Sequence, residues 1–184
     1  RGHSVDDANA DLITYDADAR DPFISIIVRG TLNSGTDYRS PALIFRLQED
    51  RTGAIPAAAS RDYLLVRLLN AVVDLRKVDA GTESSLTTAS IITSNATDYH
   101  VRIHAEGNTV RVWVDDIERI SYELQGLNLK FLSGTRVGVR WDKAGTPGSA
   151  ARIDSYYCFR ASYWEDHHDW RQNLDRQVIQ FGVR

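Results

Sequence analysis

The residues best suited to chemistry alternate along two neighbouring segments in the second half of the chain. Histidine and arginine occupy alternate positions of the first segment, and arginine and tryptophan those of the second, as on one face of two paired strands. An exposed indole can stack on a sugar ring while arginine and histidine donate hydrogen bonds to hydroxyl groups. We therefore treat this row as a candidate glycan-binding face. Its members are His100, Arg102, His104, Arg111 and Trp113.

The same row has a second interpretation. A loop, the C-terminal tail or a neighbouring subunit can cover it, and the usual burial of tryptophan favours such a cover. Two adjacent aspartates, Asp115 and Asp116, can supply oxygen ligands to calcium, although aspartates also favour a turn. We expect no cofactor apart from such a structural calcium ion.

The only cysteine and the tail histidines have simpler explanations than metal binding. Cys158 has no partner for a disulfide, excludes a thiolate-rich zinc site and is expected to face the core. The segment Trp164–Trp170 contains two adjacent histidines, which point apart on a strand and lie about 100° apart on a helix. We expect this segment to dock on the body of the protein or to form a partner interface.

A predicted hairpin positions the candidate face. Gly107–Asn108 separates the two alternating segments and suits a type II′ turn with glycine first. Pairing outward from this turn matches apolar with apolar residues on one face and the candidate residues with each other on the opposite face. The pairs are Ala105–Val110, Ile103–Val112 and Val101–Val114 on the first face, and His104–Arg111, Arg102–Trp113 and His100–Asp115 on the second.

Short alternating segments recur along the rest of the chain between clusters of Gly, Asn, Asp and Ser. Because no long helical period precedes residue 160, the pattern predicts an all-β antiparallel sandwich or barrel. A β-bulge near Asp154–Ser155 is needed to keep the last strand in phase. The predicted strands are Phe23–Arg29, Ala42–Leu47, Tyr63–Leu69, Val72–Val78, Leu86–Ile92, Tyr99–Ala105, Val110–Asp115, Ile120–Leu124, Arg136–Trp141 and Ile153–Phe159.

Composition limits the class of protein. The chain has 184 residues, 42% of them hydrophobic, enough for one domain with a sizeable core. Its net charge of −3 is spread without basic blocks, which argues against nucleic-acid binding. No apolar stretch approaches the ~18 residues of a membrane span, and no signal peptide is apparent. Since methionine is absent, we expect a fragment or a processed product.

The order of these segments resembles the concanavalin A-like lectin/glucanase superfamily, in the laminin-G-like form often seen in bacteriophage tail and virion proteins. The resemblance covers about residues 20–162 and implies a jelly-roll sandwich of two curved antiparallel sheets. It implies no single function, because the fold is shared by lectins, hydrolases, lyases and structural modules. The segments that carry it are Ala42–Asp50, Arg61–Arg67, Val73–Val78, Tyr99–His104, Asn108–Asp115, Gly134–Arg140 and Ala151–Tyr156.

This resemblance gives a division of the chain and an expectation about catalysis. We expect an N-terminal extension over residues 1–20, the sandwich over 21–162, and a tail or linker over 163–184 with a short helix through Trp170, Leu174 and Val178. Glucanases of the fold carry Glu-x-Asp-x-Glu or Glu-x-Asp-x-x-Glu on one strand, and alginate lyases carry Arg-x-Glu-x-Arg. Neither motif is present, so we expect no enzyme activity.

The sequence thus predicts a non-catalytic module of a phage-type virion or tail, serving assembly, decoration or surface (glycan) attachment. Its location would be the virion or the extracellular space. Its partners would be other virion or tail subunits, copies of itself or cell-surface glycan, without nucleic acid or membrane insertion. A secreted carbohydrate-binding module and a divergent polysaccharide hydrolase or lyase are the alternatives.

Overall fold

Strands make up nearly all of the regular structure. The computed structural model describes residues 2–6, 10–16, 20–29, 41–48, 55–69, 71–91, 97–142 and 152–160. Within them, two short 3₁₀ helices, Ala58–Ser60 and Gly126–Ser133, accompany twelve strands. The strands are β1 Gly2–Asp6, β2 Ala10–Asp16, β3 Pro22–Arg29, β4 Ala42–Leu47, β5 Tyr63–Leu69, β6 Val72–Asp79, β7 Thr82–Ser90, β8 Asp98–Glu106, β9 Thr109–Val114, β10 Ile117–Glu123, β11 Arg136–Asp142 and β12 Arg152–Arg160.

The strands form two antiparallel sheets. The larger sheet has seven strands in the order β1-β2-β11-β4-β5-β6-β7, and the smaller has five in the order β10-β9-β8-β3-β12. Every strand pair described is antiparallel. The predicted antiparallel β-sandwich is confirmed.

Alternate residues of each strand build the core between the sheets. In β8, Tyr99, Val101, Ile103 and Ala105 are buried and the residues between them are more exposed. They pack with inward residues of the larger sheet, such as Leu64 of β5. This alternation is the period-2 pattern expected when one face of a strand meets a core.

All ten predicted strands appear as β3 to β12, with the largest differences in bounds at β7 and β10. The strand predicted over Leu86–Ile92 is observed as Thr82–Ser90. It begins earlier than predicted because β7 lies at a sheet edge and its first residues are polar, so they give no hydrophobic signal. The predicted bulge in the last strand is confirmed by a register shift between Ile153 and Ser155. Cys158 packs against the core, as predicted, and burial raises its pKa to about 12.

The N-terminal segment differs from the prediction. Residues 2–6 and 10–16, which we expected in an extension over 1–20, form β1 and β2 and enlarge the seven-stranded sheet. In β2, Ile13 lies opposite Val139 of β11, and Leu12 is buried. The sequence did not predict this strand, because its apolar run is short and is flanked by aspartates, which are uncommon in strands. The predicted tail over 163–184, with its helix and the segment Trp164–Trp170, lies outside the described residues.

One buried arginine joins the two sheets at the end of the sandwich. Arg46 of β4 has a φ of +53° and lies at the register shift between β4 and β11, where β4 has one extra residue. Its Nη2 donates to Asp21 Oδ1 at 3.0 Å and to the Gly107 carbonyl at 2.5 Å. Asp21 Oδ1 also accepts from the Gly107 amide at 2.9 Å. Arg46 therefore fixes the β8–β9 turn, and with it the hairpin that carries the predicted face.

Candidate functional site

The structure brings the five predicted residues together on the outer face of the smaller sheet. The β8–β9 register pairs His104 with Arg111 and Arg102 with Trp113, as predicted. At the turn between them Gly107 has a φ of +51°, the sign that the first central position of a type II′ turn requires. The predicted placement of the row is confirmed, while its role as a binding site remains a prediction.

Arg102 holds the indole of Trp113 from one side. Its guanidinium carbon lies 5.8 Å from the ring centroid, within cation–π range, and its Nη2 lies 2.8 Å from Asp116 Oδ1. Trp113 is half-buried, whereas Arg111 on the same strand face is exposed. The indole is therefore fixed in orientation and only partly covered.

The two histidines connect the row to β3. His100 Nε2 lies 2.7 Å from Ser25 Oγ, and its backbone amide donates to Asp115 Oδ1 at 2.9 Å. The ring of His104 meets Phe23 edge-on, with centroids 6.0 Å apart. Both histidines are half-buried and held by neighbours of the sheet.

The calcium candidates form a tight turn. Asp115 and Asp116 have φ values of +51° and +65°, the signs required at both central positions of a type I′ hairpin turn between β9 and β10. The carboxylate of Asp115 accepts from His100, and that of Asp116 pairs with Arg102. Within the described ranges, no group of three or more His, Cys, Asp and Glu side chains is placed to hold a metal ion. The calcium site remains a prediction.

A second constellation, which the sequence did not predict, lies on the outer face of the larger sheet. Three arginines and two carboxylates from β5, β6, β7 and β11 meet there, together with a phenol and a hydroxyl group. We call this set the outer-face network. Its members are Tyr63, Arg67, Asp74, Arg76, Glu83, Ser85 and Arg140.

Glu83 of the edge strand β7 lies at the centre of the outer-face network. Its Oε1 is 2.7 Å from Arg76 Nε, and its Oε2 is 2.6 Å from Arg140 Nη1 and 3.4 Å from Arg67 Nη2. The contact with Arg140 is a charge-assisted hydrogen bond, which is about twice as strong as a neutral one. Glu83 therefore connects arginines from three different strands.

Asp74 is the second carboxylate of the network and is almost fully buried. Its Oδ2 is 2.6 Å from Arg76 Nη1, and its Oδ1 accepts from Ser85 Oγ at 2.6 Å. Each of the four carboxylate oxygens of the two acids thus faces a donor. Arg140 Nη1 also donates to the Tyr63 hydroxyl at 3.0 Å. Burial raises the pKa of Tyr63, and the Arg140 charge opposes this only in part, so the phenol stays neutral.

The contact between Arg140 and Glu83 shows that this face is concave. Their strands, β11 and β7, are separated by β4, β5 and β6. At 4.7–4.9 Å per strand spacing, the two backbones would lie about 19 Å apart across a flat sheet. Side-chain atoms 2.6 Å apart require the sheet to curve toward this face. The network therefore lies at the floor of a curved surface.

The network is most accessible toward the β7 edge. Arg67 and Asp74 are buried, whereas the side chains of Arg76, Glu83 and Arg140 are 17–19% exposed to solvent. Three exposed hydroxyl-bearing residues of β7 continue the same face, because each pairs with an outward residue of β6. They are Ser85, Thr88 and Ser90.

An apolar patch borders this polar region on the same outer face. Its residues, which come from β2, β4, β5 and β6, are buried and form a cluster separate from the main core. They are Leu12, Ala42, Ile44, Leu47, Tyr63, Leu65 and Val78.

Part of the network left a signal in the sequence. Arg67, Asp74 and Arg76 interrupt two strands that otherwise read as apolar, and the β5–β6 register places Arg67 opposite Asp74. A prediction of that hairpin would have found the pair. Arg140 is 57 positions from Glu83, and only the curvature of the sheet brings them together.

Comparison with known proteins identifies the fold. No protein-family model and no curated protein matches the chain. The carbohydrate-binding module CBM66 from Bacillus subtilis is similar in structure, with a TM-score of 0.51, 16% identity, and coverage of 87% of this chain and 89% of that one. The galectin LEC-6 from Caenorhabditis elegans gives a TM-score of 0.52, 9% identity, and coverage of 86% and 96%.

A third similar structure is a Bacillus subtilis protein of unknown function with a galectin-like fold. It gives a TM-score of 0.52 at 13% identity and covers 84% of this chain and 78% of that one. At these identities the likeness is one of fold. The jelly-roll sandwich implied by the resemblance is confirmed, and its phage type remains a prediction. In the described part of the chain, no helix is long and apolar enough to cross a membrane.

Proposed function

We propose that the chain is a non-catalytic glycan-binding module that binds along the concave face of its larger sheet. The observation that carries this proposal is the outer-face network, in which Arg76, Glu83 and Arg140 converge on a curved surface. Their partial exposure leaves them within reach of a ligand lying along β7.

The chemistry of the network suits sugar hydroxyl groups. A hydroxyl group both donates and accepts hydrogen bonds, and the network offers guanidinium donors beside carboxylate acceptors. Ser85, Thr88 and Ser90 add hydroxyl groups along the edge. Binding sites of this type are concave and already formed before the ligand arrives. The shared fold with a carbohydrate-binding module and a galectin supports the same ligand class.

The ion pairs argue against hydrolysis. Glycoside hydrolases need two carboxyl groups that flank the scissile bond, one of them able to deliver a proton. Here the oxygens of Asp74 and Glu83 are directed at Arg76, Arg140 and Ser85 rather than at open space. This pairing of both acids supports the non-catalytic part of the proposal. We therefore propose recognition without turnover.

In its finer form the proposal keeps the setting predicted from the sequence. A module of this kind on a phage-type virion or tail, or secreted alone, would attach its carrier to a glycan-coated surface. Other virion subunits would then contact parts of the sandwich away from β7.

Glycan binding to the concave face can be tested by substitution along its edge. The purified chain is screened on a glycan array, and the affinity of the best neutral ligand is measured by calorimetry. The double variant Ser85→Ala/Thr88→Ala removes two hydroxyl groups from the exposed edge of the concave face. Because Ser85 Oγ also donates to Asp74, circular dichroism and a urea melt verify that the variant is folded before binding is measured. We expect it to weaken binding about tenfold, and Arg140→Gln to weaken it further, because a charged hydrogen-bond donor is lost.

Trp113→Ala is the matched control, because Trp113 belongs to the opposite sheet face. It should leave binding of the neutral ligand unchanged. Loss of binding in Trp113→Ala with full binding in Ser85→Ala/Thr88→Ala would overturn the assignment to the concave face. The glycan is also incubated with the protein for a prolonged time and analysed by mass spectrometry. A shortened glycan would overturn the proposal that the module is non-catalytic.

A further inference from the structure

We propose that the outer face of the smaller sheet is a second binding site, specific for acidic sugars. The indole of Trp113 would stack on the sugar ring, and Arg111 would receive its carboxylate or sulfate group. This site goes beyond the concave-face function and does not depend on it, since the two surfaces are the outer faces of different sheets.

The two arginines that neighbour Trp113 differ in what they bind. Arg102 is occupied by the indole on one side and by Asp116 on the other. Arg111 is exposed, and among the described residues it has no hydrogen bond or ion pair. A guanidinium without a carboxylate partner is suited to a bidentate bond with an incoming anion.

The spacing of Arg111 and Trp113 fits one sugar residue. They are two positions apart on β9 and lie on the same face, so their Cα atoms are separated by about 7 Å. A pyranose ring on the indole can therefore extend its anionic substituent to the Arg111 guanidinium.

The charges around Trp113 also bear on the orientation of the ligand. Glu118 lies opposite Trp113 on β10 and is exposed, so it would repel an anionic group but accept a hydroxyl hydrogen bond. Ser121 lies opposite Arg111 and adds no charge there. Glu106 and Glu123 lie one step beyond Arg111, both opposite Thr109, so the Arg111 guanidinium itself, rather than the surrounding charge, would fix the position of the anionic group.

The indole is oriented before any ligand binds. The contacts of Arg102 with the ring and with Asp116 restrict the Trp113 side chain. An aromatic group fixed in this way loses little conformational entropy on binding. The site therefore combines a rigid stacking surface with the Arg111 guanidinium, which has no ion-pair partner in the described part of the chain.

The test uses the whole chain with polygalacturonate and chondroitin sulfate as acidic probes and dextran as the neutral probe. Affinity electrophoresis or calorimetry should give binding to at least one acidic probe that weakens as salt is raised. Arg111→Gln should weaken that binding about tenfold or more, and Arg111→Lys should restore part of it. Trp113→Ala should weaken binding as well, because the stacking surface is lost.

Ser85→Ala/Thr88→Ala serves as the control for the concave face. Acidic binding that is retained in this variant and lost in Arg111→Gln supports the second site, whatever the outcome at the first. Absence of binding to both acidic probes would overturn the inference, as would equal binding in wild type and Arg111→Gln. If acidic binding is lost only in Ser85→Ala/Thr88→Ala, the acidic ligand binds to the concave face and the inference of a second site is overturned.

Discussion

The outer faces of the two sheets use arginine in opposite ways. On the larger sheet, Arg76 and Arg140 are held by the carboxylates of Asp74 and Glu83, and the whole set lies against a concave surface. On the smaller sheet, Arg111 is exposed and without an ion-pair partner among the described residues. The difference follows from curvature, because a concave face directs side chains toward one another.

The two faces therefore differ in what their arginines contribute to stability and to ligand specificity. A buried ion-pair network costs desolvation that its internal attraction does little more than offset, so it contributes little net stability. It does fix donors and acceptors in one arrangement. The exposed row of the smaller sheet costs little to desolvate, and its charges remain available to a charged partner.

Arg76→Met and Arg102→Met make the same change on the two faces, and we expect the largest difference here. Arg76→Met leaves the buried carboxylate of Asp74 without its guanidinium and should cost about 3 kcal/mol of unfolding free energy. Arg102→Met removes a pair with an Asp116 side chain that is 78% exposed and should cost less than about 1 kcal/mol.

Urea denaturation of both variants measures the difference. Equal losses of unfolding free energy would contradict the contrast between the two faces.

Gly138→Ala tests whether the N-terminal strands belong to the larger sheet. A Cβ at Gly138 would lie 2.8 Å from the Thr14 Cα of β2, closer than van der Waals contact allows. We expect a loss of about 1–3 kcal/mol from overpacking. In a chain lacking residues 1–16 the same substitution should cost much less, because β2 is absent. An equal cost in both backgrounds, measured by urea denaturation, would show that β2 does not pair with β11.

The smallest expected effect is a sensitivity to acid confined to the larger sheet. Lys130, in the 3₁₀ helix Gly126–Ser133, lies 2.5 Å from Asp79 Oδ1 and 3.0 Å from Asp62 Oδ2. The hydrogen bond from Lys130 lowers the pKa of Asp79 below its unfolded value of about 3.9. This contribution is present above about pH 4 and is lost as the pH falls through the folded pKa.

Asp79→Asn should therefore flatten the decrease in stability below about pH 4, and Lys130→Met should flatten it similarly. Thermal melts between pH 2.5 and 6 measure the slope. A slope unchanged in both variants would contradict this assignment.

The candidate row on the smaller sheet could be predicted from local sequence patterns, whereas the outer-face network of the larger sheet depends on long-range geometry. The β8–β9 register follows from Gly107–Asn108 and from alternation on both sides of it, which are visible within a short stretch of sequence. The joining of Arg140 to Glu83 depends on three intervening strands and on sheet curvature, which no local pattern encodes. β2 was missed because its apolar run is short and its aspartates resemble a polar extension.

The central claim, that a glycan lies along the concave face without being cleaved, is tested most directly by an NMR titration. Amide shifts of the ¹⁵N-labelled chain are followed while the best neutral glycan from the array is added. We predict that the largest shifts fall on Thr82–Ser90 of β7 and on Arg76 of β6, with the glycan recovered intact. Shifts confined to β8 and β9, or recovery of shortened glycan, would contradict the account.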